Sequence, residues 1–467
     1  MSLSRLLPLT LTLCAGLALA GCGAGEQLSR INPFSGPERD DPNAPPRDQR
    51  IPVLALDDRL TAPDEAEPVT LPRSYVNSSW PQSDGFPTHA MQHTRASGDL
   101  NRVWRVDIGA GSSRDRRVRA RPVIAGGVVY AMDAEGRISA RSLDTGAENW
   151  RTQVRPERST SARGSRIPFM GSSGQAPTFG GSIGYDAGRL FAHTGGRFFV
   201  ALDARSGEEL WRRTALTPYH SAPTIADGRV FVTTDDNELL ALDASTGEVV
   251  WSHRSIAETA RVLATPSPAV LGETLIAPYS SGEVAALRVP NGRELWTEAL
   301  TRAGGLTPMS TINDIAASPV VIGDRVYAMS HSGVMAALDL RTGERQWTLP
   351  AGGVHTPALA GDYIFLVTVD AQLTAIDRRT GEVRWLTQLR QFENERRRRN
   401  RVAWAGPVLA GDRLVLASSR GELAIVDAAT GALTATRDLG DPVFVAPVIA
   451  AETVVVVTNN GRLIALR

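Results

Sequence analysis

Cysteine is nearly missing from this chain of 467 residues: only Cys14 and Cys22 occur, both close to the N-terminus. From residue 23 onwards there is no thiol, which excludes a disulfide framework, a thiolate metal site and a cysteine nucleophile. Lysine is absent and arginine carries all the positive charge, a mark of a GC-rich genome rather than of function. Basic and acidic residues balance at 50 each, so no global charge draws the chain to nucleic acid. Aromatic residues make up only 6%. One apolar run stands out, Leu6 to Ala20, and at about 15 residues it is short for a bilayer crossing. No later segment is long and apolar enough to cross. The seven histidines (His89, His93, His193, His220, His253, His331 and His355) are scattered without zinc-ligand spacing, so no metal site is predicted. Of these, His193, His331 and His355 lie near strand ends and can approach one end of the fold. Gly180-Gly181-x-x-Gly184 sits in a β context with no helix after it and is not a phosphate cradle. No local Ser–His–Asp signature is present.

The first residues set the compartment. Arg5 precedes the apolar run, and Leu19-Ala20-Gly21-Cys22 follows it. This pattern resembles the bacterial lipobox, in which small residues admit a dedicated signal peptidase and the cysteine is acylated. On this reading residues 1–21 are a signal peptide that removes Cys14, and Cys22 bears the lipid, palmitate among its acyl chains. The protein is then anchored to a membrane rather than spanning it. Gly23 rather than Asp follows the cysteine, which points to the outer membrane of a Gram-negative bacterium, facing the periplasm.

Residues 22–75 read as an extended tether. Pro33, Pro37, Pro42, Pro45, Pro46, Pro52, Pro63, Pro68 and Pro72 break helix and strand alike and favour polyproline conformation. The folded domain is expected over 76–467. Asn77-Ser78-Ser79 matches a glycosylation sequon, which the bacterial lipobox discounts.

Repetition dominates the rest. A short apolar strand ends in Ala-Leu-Asp, a Thr-Gly-Glu turn follows, and an apolar strand ends in Trp. The clearest copy runs from Leu240-Ala241-Leu242-Asp243 through Thr246-Gly247-Glu248 to Trp251. Further copies end at Trp150, Trp211, Trp296, Trp347 and Trp385, and one at 425–435 has Ala435 in place of Trp. An eighth half-copy, Ile464-Ala465-Leu466, ends the sequence. A second landmark recurs eight times, 38 to 55 residues apart: Pro122, Pro177, Pro223, Pro268, Pro319, Pro357, Pro407 and Pro447, each before an apolar strand. Strand-length apolar runs separated by Asp, Asn and Gly predict four-stranded antiparallel meanders. A lone meander leaves both faces apolar, and radial stacking buries them. The fold class is therefore all-β, an eight-bladed propeller. Segment 101–107 holds a repeat-type Trp104 and is expected to pair with 461–467, closing the ring. Trp104, Trp150, Trp211, Trp251, Trp296, Trp347 and Trp385 are read as residues that dock one blade on the next.

The Ala-x-Asp-x-x-Thr-Gly-x-x-x-Trp phrase resembles the docking repeat of quinoprotein-like propellers. With the lipobox, the eight repeats and the length, the chain is similar to the BamB family of outer-membrane β-barrel assembly lipoproteins. The resemblance implies a non-catalytic scaffold without cofactor. It also implies partners: the barrel-insertion protein, companion lipoproteins and nascent outer-membrane proteins, for which sheet edges can offer β-augmentation. It places partner contacts in the loop before Pro177, on Ile167, Phe169 and Met170, and before Pro319, on Asp314. The sequence departs from the family pattern at Ser173 and Ala316. Two other readings stay open: a quinone-dependent dehydrogenase, which the lack of paired cysteines opposes, and a propeller for a periplasmic polysaccharide or other ligand. Three connections are long, 151–175, 298–316 and 386–404, and long loops on a rigid ring are where binding concentrates. The run Arg396-Arg397-Arg398-Arg399 with Arg401 is either a solvated face or a site for an acidic partner or lipid headgroups.

Overall fold

The computed structural model describes residues 60–63, 68–154, 181–258, 262, 264–301 and 312–467. The signal peptide, Cys22 and the proximal tether lie outside the described residues, as do Ile167, Phe169 and Met170. All regular structure among the described residues is β. Eight four-stranded antiparallel sheets follow one another and form the blades of a propeller, the architecture the repeats predict.

Blade 3 shows how the repeat becomes structure. Its strands are Thr224–Ala226, Arg229–Thr233, Glu238–Asp243 and Val249–Arg254. Thr224, Phe231, Ala241 and Trp251 stand side by side across it. The central residues of the third strand are buried on both faces, which is why that strand reads as an unbroken apolar run rather than an alternation. The turn to the fourth strand is held by Asp243, whose carboxylate accepts from the amides of Ser245 and Thr246 at 2.8 and 3.0 Å. The Ser245 hydroxyl, which also donates to this carboxylate, and then those amide bonds hold the Asp243 carboxyl below its ordinary value. Gly247 completes the turn at φ +74°.

The tryptophans join the blades. In the seven repeat tryptophans the indole N–H donates to a carbonyl in the third-to-fourth-strand turn of the next blade. The pairs are Trp104 to Leu143, Trp150 to Ala204, Trp211 to Ala244, Trp251 to Val289, Trp296 to Leu340, Trp347 to Arg378 and Trp385 to Ala428, at 2.9 to 3.1 Å. The ring lies on the turn glycine, and a Cβ on Gly247 would fall 2.5 Å from Trp211.

The eighth junction is built differently. Blade 8 takes its outer strand from the start of the domain: Arg102–Asp107 pairs antiparallel with Arg462–Leu466. Its third and fourth strands therefore belong to opposite ends of the sequence, and no Thr-Gly turn joins them. Blade 7 accordingly carries Ala435 where a Trp would have no turn to meet. Arg413 Nη1 donates instead to the Gly98 carbonyl at 2.8 Å, beside that break.

The fold also reaches further back than residue 76. Leu60 is buried in a core shared with Tyr327, Met329 and Ile364, and Val69 packs with Phe365 and Trp385. The prolines of this stretch exclude regular structure but not docking. From Asn77 to Ser97 the chain then circles the inner ends of all eight blades. Trp80 exchanges two backbone bonds with Ile124, and the Pro81 carbonyl accepts from Tyr185. The Gln82 amide bonds both ways with the Ile225 backbone. Pro87, Thr88 and Thr94 carbonyls accept from Val270, Val321 and Gly411. Gln92 Oε1 accepts from the Gly361 amide, and the Asn77 carbonyl accepts from Ala451. This clasp covers the face that carries the turns between first and second strands. It also explains the sequon: Asn77 is buried, and its Nδ2 donates to the Ser79 and Ile449 carbonyls.

Candidate functional site

In a four-stranded antiparallel blade the outer strand ends on the side where the next inner strand begins. Every connection between successive blades therefore starts and finishes on the face opposite the clasp. The described residues that flank 155–180 and 302–311 lie there, as does the third long connection. The latter is a hairpin, Phe392–Asn394 paired with Arg399–Arg401. Phe392 lies under the guanidinium groups of Arg398 and Arg401 at 5.8 Å. Arg401 pairs with Asp370 at 2.8 Å and Arg420 with Glu393 at 3.1 Å. Arg396, Arg397, Arg398 and Arg399 have no acidic partner among the described residues and stand exposed.

Asp314 is on the same side but is not presented to solvent: it is 2% exposed. Its Oδ2 accepts from the Val262 amide at 2.9 Å, and its carbonyl accepts from the His331 amide at 2.9 Å. In this position it braces the connection between blades 3 and 4 from the neighbouring connection. Its side chain can shape a contact surface only through the segments it holds.

The channel opens on this face as a cavity of about 510 Å³. Ser83 and Asp84 of the clasp line it from within. The Asp84 carboxylate pairs with Arg121 and accepts hydroxyl bonds from Thr356 at 2.6 Å, Ser318 at 2.7 Å and Ser267 at 2.9 Å. Burial alone would raise its pKa, but Arg121, His89 and the hydroxyls of Thr356 and Ser318 outweigh that and hold it well below the carboxylate range. His89 is buried beside it, with Nδ1 2.6 Å from the Pro319 carbonyl. Desolvation keeps its pKa low despite the nearby carboxylate.

Of the histidines expected near one end of the ring, only His355 lines this cavity. Desolvation and the Arg121 charge push its pKa down, with Asp84 a partial offset. His193 is fully buried, its Nδ1 accepting from the Gly195 amide at 3.1 Å and its Nε2 2.9 Å from the Ser221 carbonyl. His331 is partly buried, and its backbone amide donates to the Asp314 carbonyl. Among the described residues no three His, Cys, Asp or Glu side chains group as a metal site requires.

The sequence reading missed the arginine row of the cavity. Arg117, Arg119 and Arg121 alternate just before the first blade proline. That spacing, immediately ahead of Pro122, was the available signal.

Comparison with known proteins places this geometry. The family described as "Outer membrane protein assembly factor BamB" matches residues 161–387 and 390–467. The chain belongs to the BamB family. A BamB of Yersinia pestis is 26% identical over 54% of this chain, and the match spans 62% of that relative's length. The crystal structure of BamB from Moraxella catarrhalis superposes with a TM-score of 0.64 at 18% identity, over 79% of this chain and 99% of that one. The β-propeller domain family of glucose, ethanol and alcohol dehydrogenases matches residues 88–210. A quinohemoprotein alcohol dehydrogenase from Comamonas testosteroni shares the fold, with a TM-score of 0.63 at 13% identity over 83% of this chain and 80% of that one.

A quinone with its metal ion does not fit the residues of this BamB-family cavity. Among the described residues Asp84 is the carboxylate that lines it, and it is already engaged by an arginine and three hydroxyls. The fold has no cysteine to form a disulfide against a cofactor.

Proposed function

We propose that this chain is a non-catalytic scaffold lipoprotein of the outer-membrane β-barrel assembly complex. Cys22 anchors it to the outer membrane, and the propeller faces the periplasm at the end of its tether. Membership of the BamB family carries the reading. A rigid ring whose inter-blade connections all meet one face supports it, because such a face can hold a large partner without moving.

That partner is the periplasmic part of the barrel-insertion protein. Ile167, Phe169 and Met170 supply apolar anchors on one connection. Asp314 sets the shape of the connection between blades 3 and 4 by holding the Val262 amide. Companion lipoproteins and nascent outer-membrane strands are further partners, and the half-exposed outer strands of the blades offer edges to the latter. Replacing Ile167, Phe169 and Met170 with serine is expected to abolish co-purification with the barrel protein while the thermal melt stays unchanged. Asp314→Ala is expected to weaken it less. Undiminished co-purification of the triple variant removes these residues from the interface.

The dehydrogenase-type match over residues 88–210 motivates a test of the rival reading, a quinone-dependent enzyme, which the lining of the cavity opposes. Dye reduction with an alcohol or sugar, after addition of the quinone and Ca²⁺, is its test; the scaffold reading expects none.

A further inference from the structure

The cavity at the channel mouth is not needed for the scaffold reading, and its charges do not balance. Three arginines line it, Arg117, Arg119 and Arg121, against one carboxylate, Asp84. Arg121 is committed to Asp84. Arg119 has no acidic partner among the described residues, and its Nε is buried without a hydrogen bond. Arg117, two residues away, has no ion pair there either. Desolvation and the Arg117 charge both disfavour the charged Arg119. A partly buried guanidinium with no acidic partner, beside the exposed Arg117 charge, is an under-satisfied arrangement in a concave site. A bound anion resolves it through charge-assisted, fork-shaped bonds.

The rest of the lining restricts what that anion can be. Val354, Val445, Trp404 and Phe444 make much of the wall apolar, and Phe444 is 50% exposed, large and unpartnered at the mouth. At about 510 Å³ the space suits one small organic molecule. The clasp closes the channel below, and the Asp84 carboxylate stands there, ionised. The lining carries a surplus of two positive charges, but Arg117 is exposed and water screens it; the more buried Arg119, Arg121 and Asp84 leave a surplus of one, which a monoanion neutralises.

We propose that this cavity binds a small amphiphilic carboxylate, with Arg119 and Arg117 holding the carboxylate and Phe444, Val445 and Val354 covering an apolar or aromatic body.

Isothermal titration of the full-length chain in detergent tests this, with 2-naphthoate, its uncharged amide and inorganic phosphate as probes. The acid is expected to bind once per chain. The amide is expected to bind roughly tenfold or more weakly, the loss typical of a charge-assisted bond. Arg119→Gln is expected to weaken the acid to a similar degree and Phe444→Ser to weaken both acid and amide. Arg116→Gln, which alters a neighbouring exposed arginine paired with Glu135, is expected to change nothing. Melting curves of the variants show whether each is folded. The proposal is overturned by equal binding of acid and amide, by tighter binding of phosphate, by no heat with the acid, or by a folded Arg119→Gln variant that binds like the parent.

Discussion

Gly247 and Trp211 show what a single residue does here. The glycine sits at φ +74° with the Trp211 ring where a Cβ would go, so two requirements coincide on one position. Gly247→Ala adds left-handed backbone strain to an overpacked contact and is expected to destabilise the domain by about 1–3 kcal/mol. Chemical denaturation measures it, and a parent-like midpoint would show that the ring can shift aside. His193 makes a second case. Its Nδ1 must accept from Gly195, so the native state holds it neutral, and burial lowers its pKa to about 4, against about 6.5 in the unfolded chain. The unfolded state therefore takes up a proton first as pH falls. The stability this provides is complete above about pH 6.5 and is lost as pH drops towards 4, on the order of 3 kcal/mol. Melting temperatures across pH 7 to 4.5 are expected to fall less in His193→Gln than in the parent, the difference isolating this group from the other buried histidines. Parallel profiles would contradict it.

At the scale of elements, legibility depended on distance along the chain. The Asp-x-x-Thr-Gly turn and its Trp lie within a dozen residues and recur, so the blades could be read directly. Even the missing Trp at Ala435 was visible, although its reason, a blade made from both ends of the sequence, needed the pairing of Arg102–Asp107 with Arg462–Leu466. The clasp was not legible. It has no periodicity, because its bonds run to residues far along the chain, as from Asn77 to Ile449 and Ala451, and its prolines read as tether. The cavity was hidden for a similar reason: its lining comes from short connections of several blades, none distinctive alone. Asp314 was singled out through the family resemblance, but a lone Asp in a loop carries no sign of whether it points outward or braces a neighbour. The clasp yields its own prediction. Gln82→Ala leaves the Ile225 N–H and C=O without their partner, a loss of about 1–3 kcal/mol. Hydrogen exchange is expected to show faster exchange at Ile225 and the inner strand of blade 3, with the outer strands unchanged. Uniform loss of protection over the whole ring would contradict a local role.

At the scale of the whole molecule, the ring is asymmetric in use. One face is sealed by residues 77–97 and carries the tryptophan-docking turns. The other collects the inter-blade connections, the arginine hairpin and the channel mouth. The seven tryptophan junctions and the two-ended eighth blade fix where each connection stands. The scaffold function predicts a stable partner. The most direct test is a crosslinked pulldown from membranes, using the lipidated chain with a tag linked beyond Arg467 and mass spectrometry of what is captured. The account predicts an outer-membrane barrel-insertion protein with its companion lipoproteins. Capture of no partner, or only of cytochromes and other redox proteins, would contradict it.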